Sequence, residues 1–321
     1  MTTPALFLAD IEAKPAALSR LGAALGRSSV FRDVPRHAQR IVFLGMGSSR
    51  YAAEVSAARL RAAGLVAVAE PASAETGTIA GPGTLAVVIS ANGESAETLA
   101  ALERHRGRSR VVAITNKPGS RVATAADTVL DLVAGDEVGG VACRTFQHTL
   151  LLLRALEAHL MGVPHATVAL TERVVHATAW LLAFRETWLP AVTDALDGPH
   201  GVYAMAPAER WSSAAQAALM VREGPRRPST GCETGDWAHV DVYLAKTLDY
   251  RALLFTGSRW DAQALDWLSR RGSTWVAVGG EARGARETVR YPGDDDAEVA
   301  LGSETLVAEL VAQRWWAAQE A

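Results

Sequence analysis

Short apolar runs suited to buried strands recur along this chain, and most empty into a glycine- or hydroxyl-bearing turn that opens a helical pattern. In the first half the strand-like runs are residues 40–44, 66–69, 85–89, 111–114 and 129–132. Runs that are apolar throughout fit strands covered on both faces, and parallel neighbours need a helix-sized crossover between them. The alternation therefore predicts an α/β fold, a doubly wound parallel sheet of flavodoxin-like type flanked by helices. Ligands of such sheets bind beyond the carboxyl ends of the strands.

A lead-in helix is expected over residues 10–25, with Pro15 in its first turn or kinking it, and long helices over 146–161 and 166–192. Asp197-Gly198-Pro199-His200-Gly201 is a turn-rich break, after which the alternation restarts. Strands at 202–205, 252–255 and 275–278 alternate with helices at 212–222 and 262–271, a weaker copy of the first half. The expected domains are residues 1–165, with the lead-in helix and a phosphate-binding role, and residues 166–321. Asp294-Asp295-Asp296 reads as a solvated loop.

The turn after the strand at 85–89 is Ser90-Ala91-Asn92-Gly93-Glu94-Ser95. The first N–H groups of a helix lack internal partners and the helix dipole is positive there, so a strand-to-helix turn is an anion cradle. Ser90, Asn92 and Ser95 add side-chain donors, and Gly93 permits close backbone approach. A phosphate is the expected occupant. Residues 45–49 and 135–142 form two further small-residue turns expected to face the same crevice. Gly45-Met46-Gly47 lacks the third glycine of a dinucleotide fingerprint, so no such cofactor is implied.

With 321 residues, 49% hydrophobic and 21% charged, the chain has room for two globular domains. A net charge of −3 gives no electrostatic case for nucleic-acid binding. Cys143 and Cys232 build no disulfide framework and no metal spacing. No signal peptide or membrane-length apolar run is read, which makes a cytoplasmic protein the expectation.

Together these motifs resemble the SIS (sugar isomerase) domain family, in particular the isomerase half of glucosamine-6-phosphate synthase. Ile11-Glu12-Ala13-Lys14-Pro15 resembles the family's lead-in helix, and Gly47-Ser48-Ser49 its first hydroxyl turn. Ser90 through Ser95 resembles the S-x-S-G-E-T phosphate loop, and Asn116-Lys117-Pro118-Gly119-Ser120 an N-x-P-G-S loop. Residues 135–146 resemble E-x-G-V-A-S-T-K-A-F. Glu223 and His239 match the family's base and ring-opening pair, including their separation of 16 (239 minus 223). The resemblance implies phosphate and sugar contacts from Ser48, Ser49, Ser90, Asn92, Gly93, Ser95, Glu137 and Gly140. It implies that Glu223 moves the C2 proton of an open-chain sugar while His239, in relatives from a neighbouring subunit, serves the ring oxygens. A homodimer with shared sites, and no metal or cofactor, is implied as well.

Departures narrow the chemistry. Ala91 and Asn92 stand where relatives carry glutamine and serine, and Gly140 and Ala142 replace a valine and a serine. The sequence from Leu306 onward lacks the tail that delivers a Schiff-base lysine, and Lys14, Lys117 and Lys246 are the only lysines. No glutaminase domain is read, so glutamine-dependent synthesis is not expected. One phosphate site is expected, in the first half, because Ala206-Pro207-Ala208 replaces a glycine-rich turn in the second. A C2 base without that lysine leaves isomerisation, deamination of a free 2-amine, or β-elimination of the C3 oxygen from a 2-acetamido sugar. The reading leans to elimination, which has a precedent in the SIS-fold etherase of N-acetylmuramate 6-phosphate. Isomerase or deaminase is the alternative, and a non-catalytic sugar-phosphate sensor the reading from another class. All nine tryptophans lie in the second half; most are expected to be core or interface residues, with Trp237 a candidate to shield the sugar.

Overall fold

The computed structural model describes residues 2–27, 29–163 and 166–320. Two helices, α1 (Pro4–Glu12) and α2 (Lys14–Leu25), open the chain in place of the single one expected over 10–25. Thr3 caps α1, its hydroxyl accepting from the Leu6 N–H at 3.3 Å. Pro15 lies in the first turn of α2, where its missing N–H costs nothing.

The first sheet is built from β1 (Arg40–Gly45), α3 (Gly47–Ala62), β2 (Ala67–Pro71), β3 (Thr84–Ile89), α4 (Ala96–His105), β4 (Arg110–Thr115), α5 (Arg121–Ala125), β5 (Thr128–Asp131) and α6 (Arg144–Met161). Its strands are all parallel, in the order β2-β1-β3-β4-β5. Leu85, Ala86, Val87 and Val88 of β3 are fully buried, as an apolar central strand requires. The winding direction reverses between β1 and β3. The turns that follow those two strands, carrying Ser48–Ser49 and Ser90 through Ser95, therefore stand at the switch point where open α/β sheets bind ligands.

The second sheet follows α7 (Thr167–Ala183) and α8 (Arg185–Leu196). It comprises β6 (Val202–Ala206), α9 (Trp211–Glu223), β7 (Ser229–Glu233), α10 (Thr234–Trp237), β8 (Arg251–Phe255), α11 (Asp261–Arg270), β9 (Thr274–Val278) and β10 (Glu287–Val289), and α12 (Ala297–Ser303) and α13 (Thr305–Glu320) end the chain. Its parallel order, β10-β9-β8-β6-β7, is the first sheet's order read from the opposite edge. The helix expected over 166–192 is divided at Phe184. β7 and β10 carry no apolar run and were not expected. At Gly231 an added Cβ would run into the Ala214 backbone, so β7 and α9 approach as closely as they do because that residue is glycine.

One expectation is refined here and one corrected. The acidic run at 294–296 is a loop, as expected, with Asp295 exposed, but two of its carboxylates are engaged: Asp296 caps α12, accepting from the Glu298 N–H at 2.8 Å, and Asp294 accepts from the Tyr291 N–H at 3.1 Å and from Arg290. Trp237 is fully buried and donates to the Tyr250 hydroxyl at 2.8 Å, so it is a core residue and shields no ligand. No described helix is long and apolar enough to cross a membrane.

The chain forms two compact units. One is built on the first sheet and holds Ala16–Asp136 and Arg144–Glu172; the other is built on the second sheet and also holds the residues up to Pro15 and the segment Glu137–Cys143. The expected boundary at residue 165 lies outside the described residues, and α1 and 137–143 group with the second sheet although they precede it in sequence. Within that unit α1 packs along α13, with the Phe7 and Trp316 rings 6.3 Å apart and Gln313 Nε2 donating to the Pro4 carbonyl at 3.2 Å. Lys14 and Glu309 are completely buried and paired, Nζ lying 2.7 Å from Oε1 and 2.6 Å from Oε2. Burial pushes the Glu309 carboxyl up against the opposing pull of Lys14. Breaking such a pair by removing one partner strands a charge. Lys14→Met is expected to cost about 3–5 kcal/mol in urea denaturation, and Lys14→Met/Glu309→Leu to recover most of that loss.

Candidate functional site

In the first-sheet unit the turn after β3 is stitched to the turn after β4. Ser90 Oγ accepts from the Gly93 N–H at 3.2 Å and donates to Asn92 Oδ1 at 3.3 Å, and Asn92 Oδ1 also accepts from the Glu94 N–H at 3.1 Å. Gly93 has φ +68°, and a Cβ there would overlap the Ser120 hydroxyl. Its carbonyl accepts from the Val122 N–H at 3.0 Å, while the Glu94 carboxylate caps α5 through the Arg121 N–H at 3.0 Å. Ser90 and Gly93 are buried, whereas Asn92 and Glu94 are exposed. The turn after β1 places partly exposed Ser48 and Ser49 in the first turn of α3.

Ser95 is the N-cap of α4. Its hydroxyl accepts from the Thr98 N–H at 3.2 Å and donates to Glu97 Oε2 at 2.9 Å. The Glu97 carboxyl is held below its ordinary value first by its own backbone N–H and then by Ser95. One carboxylate of the chain thus already sits at this helix start, with the charge that the helix dipole favours.

The topologically equivalent turn in the second-sheet unit follows β8. There the Asp261 carboxylate accepts from the Gly257 N–H at 2.7 Å and the Ser258 N–H at 3.1 Å. The cradle that this geometry offers to an anion is occupied by a side chain of the same turn. Burial raises the Asp261 carboxyl, and those two N–H groups and Arg210 oppose the rise. Arg210, itself buried, is held by Glu304 at 3.0 Å and donates to the Thr256 carbonyl.

The second-sheet unit brings two of the expected carboxylates within electrostatic reach of each other. Glu223 ends α9 with its side chain still in contact with solvent. Its carboxyl is nevertheless raised, first by the hydration lost to surrounding atoms and, against the pull of Arg222, by the like charge of Glu137. Glu137 Oε1 accepts from the Cys143 N–H at 2.8 Å, the Gly139 N–H donates to Asp10 Oδ2 at 2.6 Å, and Gln216 Nε2 of α9 donates to the Ala142 carbonyl at 2.8 Å. Gly140 has φ +72°, where a Cβ would overlap Thr2. His239 is exposed in the turn after α10, its N–H donating to the Asp236 carbonyl at 2.8 Å. No hydrogen bond or ion pair among the described residues links it to Glu223. Lys14, Glu309 and Asp261 were not marked as site residues, because a lone lysine or carboxylate in a helix carries no spacing signal.

This architecture is that of the SIS domain in tandem. Residues 36–158 match the SIS domain model. The isomerizing glutamine–fructose-6-phosphate aminotransferase of Aeropyrum pernix is 36% identical over 131 residues, which are 39% of this chain and 21% of that protein. The chain thus spans well under half the length of that curated relative. Among solved structures, the C-terminal domain of glucosamine-fructose-6-phosphate aminotransferase from Francisella tularensis superposes with a TM-score of 0.84 at 17% identity, covering 98% of this chain and 95% of that one. Tagatose-6-phosphate ketose/aldose isomerase from Escherichia coli gives 0.82 at 15% identity, covering 98% and 93%. Glucosamine-6-phosphate deaminase from Thermotoga maritima gives 0.71 at 17% identity, covering 98% and 95%. At these identities the structures establish the shared fold.

The Gly93 turn yields a stability test. Gly93→Ala forces a side chain into a left-handed backbone position and against Ser120, and is expected to cost about 1–3 kcal/mol in urea denaturation. Gly107→Ala, also at positive φ but with open space around it, is expected to cost less.

Proposed function

We propose that this protein acts on a hexose 6-phosphate carrying a 2-amino or 2-acetamido group, with Glu223 as the base that takes the proton from C2. Ser48, Ser49, Ser90, Asn92, Gly93 and Ser95 are assigned to the phosphate and nearby hydroxyls, Glu137 and Gly140 to the sugar, and His239 to proton transfer at the ring oxygen. One observation carries the reading: Glu223 is a solvent-reachable carboxyl whose proton affinity is raised by lost hydration and by Glu137. A carboxylate of raised basicity suits removal of a proton acidified by a neighbouring carbonyl.

Two outcomes follow from the carbanion. With a 2-acetamido group, the C3–O bond breaks as the C2–C3 double bond forms, and water leaves. This reading is favoured by the engagement of all three lysines: Lys14 in its buried pair, Lys117 with Asp136, and Lys246 over the Tyr243 ring. With a free 2-amine, the proton returns to C1 and hydrolysis releases ammonia, a reading favoured by the deaminase and isomerase among the fold neighbours. A homodimer is proposed as the working assembly, following the family resemblance.

A panel of hexose 6-phosphates with hydroxyl, amino and acetamido groups at C2, read by mass, separates these outcomes. Loss of one water from N-acetylglucosamine 6-phosphate supports elimination. Ammonia release or an unchanged mass with ketose formation supports the second outcome. Glu223→Gln is expected to lower turnover by about 10²- to 10⁴-fold while keeping the thermal stabilisation conferred by bound substrate. Ligand-induced stabilisation with no turnover anywhere in the panel, in the unaltered protein, replaces the enzyme with a sensor.

The pH dependence has a definite sign. Glu223 accepts a proton only when ionised, so the acid limb of kcat/KM is expected above the ordinary carboxylate range. Glu137→Gln removes a like charge and is expected to move that limb to lower pH, a shift read from the pH–rate profile.

A further inference from the structure

At the carboxyl ends of β6 and β7 the second-sheet unit carries an open pocket of about 350 Å³, a size that small ligands fill. Trp211, Thr230, Cys232, Glu233, Asp236 and Asp241 line it, and no arginine or lysine is among its lining residues. Three carboxylates around one cavity repel one another, and the described residues supply no ion pair to any of them. Among the described residues Glu233 is engaged as the cap of α10, accepting from the Asp236 N–H at 2.8 Å. Asp241 is only 6% exposed, and the only hydrogen bond to its carboxylate among the described residues comes from the Tyr250 hydroxyl at 3.5 Å. That length is at the limit of the interaction. Burial, against the Tyr250 hydroxyl and together with the like charge of Asp236, pushes the Asp241 carboxyl up, so its ionised form is costly unless a cation meets it. The convergence of charge has a second sign: burial, followed by Asp241, Asp236 and Glu233 in turn, pushes the Cys232 thiol up to about 12. Cys232 is thus a neutral thiol at physiological pH and no nucleophile.

We propose that this cavity binds a protonated primary amine on a hexose-sized polar body, an amino sugar without a phosphate. The ammonium group meets the three carboxylates. Trp211 adds an aromatic group to the lining, suited to a cation or to the apolar side of a sugar, and Thr230 adds a hydroxyl-bearing side chain. The same carboxylates repel a phosphate. The cavity shares no residue with the phosphate-binding turn or with Glu223, and the inference does not rest on the reaction proposed above.

Calorimetric titration of the whole protein tests it, at low salt and below the pKa of the sugar's amine. The ligands are glucosamine, glucose, N-acetylglucosamine and glucosamine 6-phosphate. Glucosamine is expected to bind at least about tenfold more tightly than glucose or N-acetylglucosamine, with affinity falling as salt rises. Asp241→Asn is expected to cost about tenfold or more, and Asp236→Asn, at an exposed position that leaves packing intact, a smaller but measurable part. Ser90→Ala is expected to remove the glucosamine 6-phosphate signal while leaving that of glucosamine unchanged. Equal binding of glucose, absence of any glucosamine signal, or full affinity in a folded Asp236→Asn or Asp241→Asn protein overturns the proposal. A missing turnover in the substrate panel leaves it untouched.

Discussion

The buried pair of Lys14 and Glu309 organises much of the second-sheet unit. Two charges withdrawn from water are tolerable only against each other, so the start of α2 and the middle of α13 are obliged to meet. That meeting holds α1 along α13 and carries Asp10 to the Gly139 N–H. Gly139 in turn belongs to the short segment whose Glu137 raises the proton affinity of Glu223. A packing requirement and a chemical one are joined through a few consecutive contacts.

The two sheets share one topology but use it differently. A strand that ends in a tight turn before a helix presents free N–H groups wherever it occurs, so duplicated sheets carry duplicated anion cradles. Side chains decide what fills them. After β8 the cradle closes on Asp261, a carboxylate four residues beyond the turn glycine. After β3 the hydroxyls of Ser90 and Ser95 and the amide of Asn92 shape the turn, with Glu97 at the helix start. The first arrangement supplies its own anion; the second keeps a hydroxyl-lined turn at the switch point.

Much of this was readable before the structure. Strands that lie centrally and are covered on both faces announce themselves as apolar runs, and β1, β3, β4, β6, β8 and β9 did so. β7 escaped because an edge strand buries little: Ser229-Thr230-Gly231-Cys232-Glu233 has a single buried member, Cys232. The break between α1 and α2 was foreshadowed by Pro15, whereas the division at Phe184 carries no such mark. Of the site residues, the turn of Ser90 to Ser95 was legible because its chemistry is local. The nearness of Glu137 to Glu223 was not, since 86 residues (223 minus 137) separate them.

The amino-acid order by itself determined the elements whose cause is local: the alternation of strand and helix, the capped turns, and the parallel sheets that follow from them. Its motifs also carry the likeness to the SIS domain, whose model matches residues 36–158. Only the tertiary structure decided which charges are withdrawn from water and which face one another. Lys14 with Glu309, Glu137 with Glu223, and Glu233 with Asp236 and Asp241 acquire their meaning from burial and through-space distance. Electrostatic energy depends on those two quantities, and neither is written in the spacing of residues along a chain.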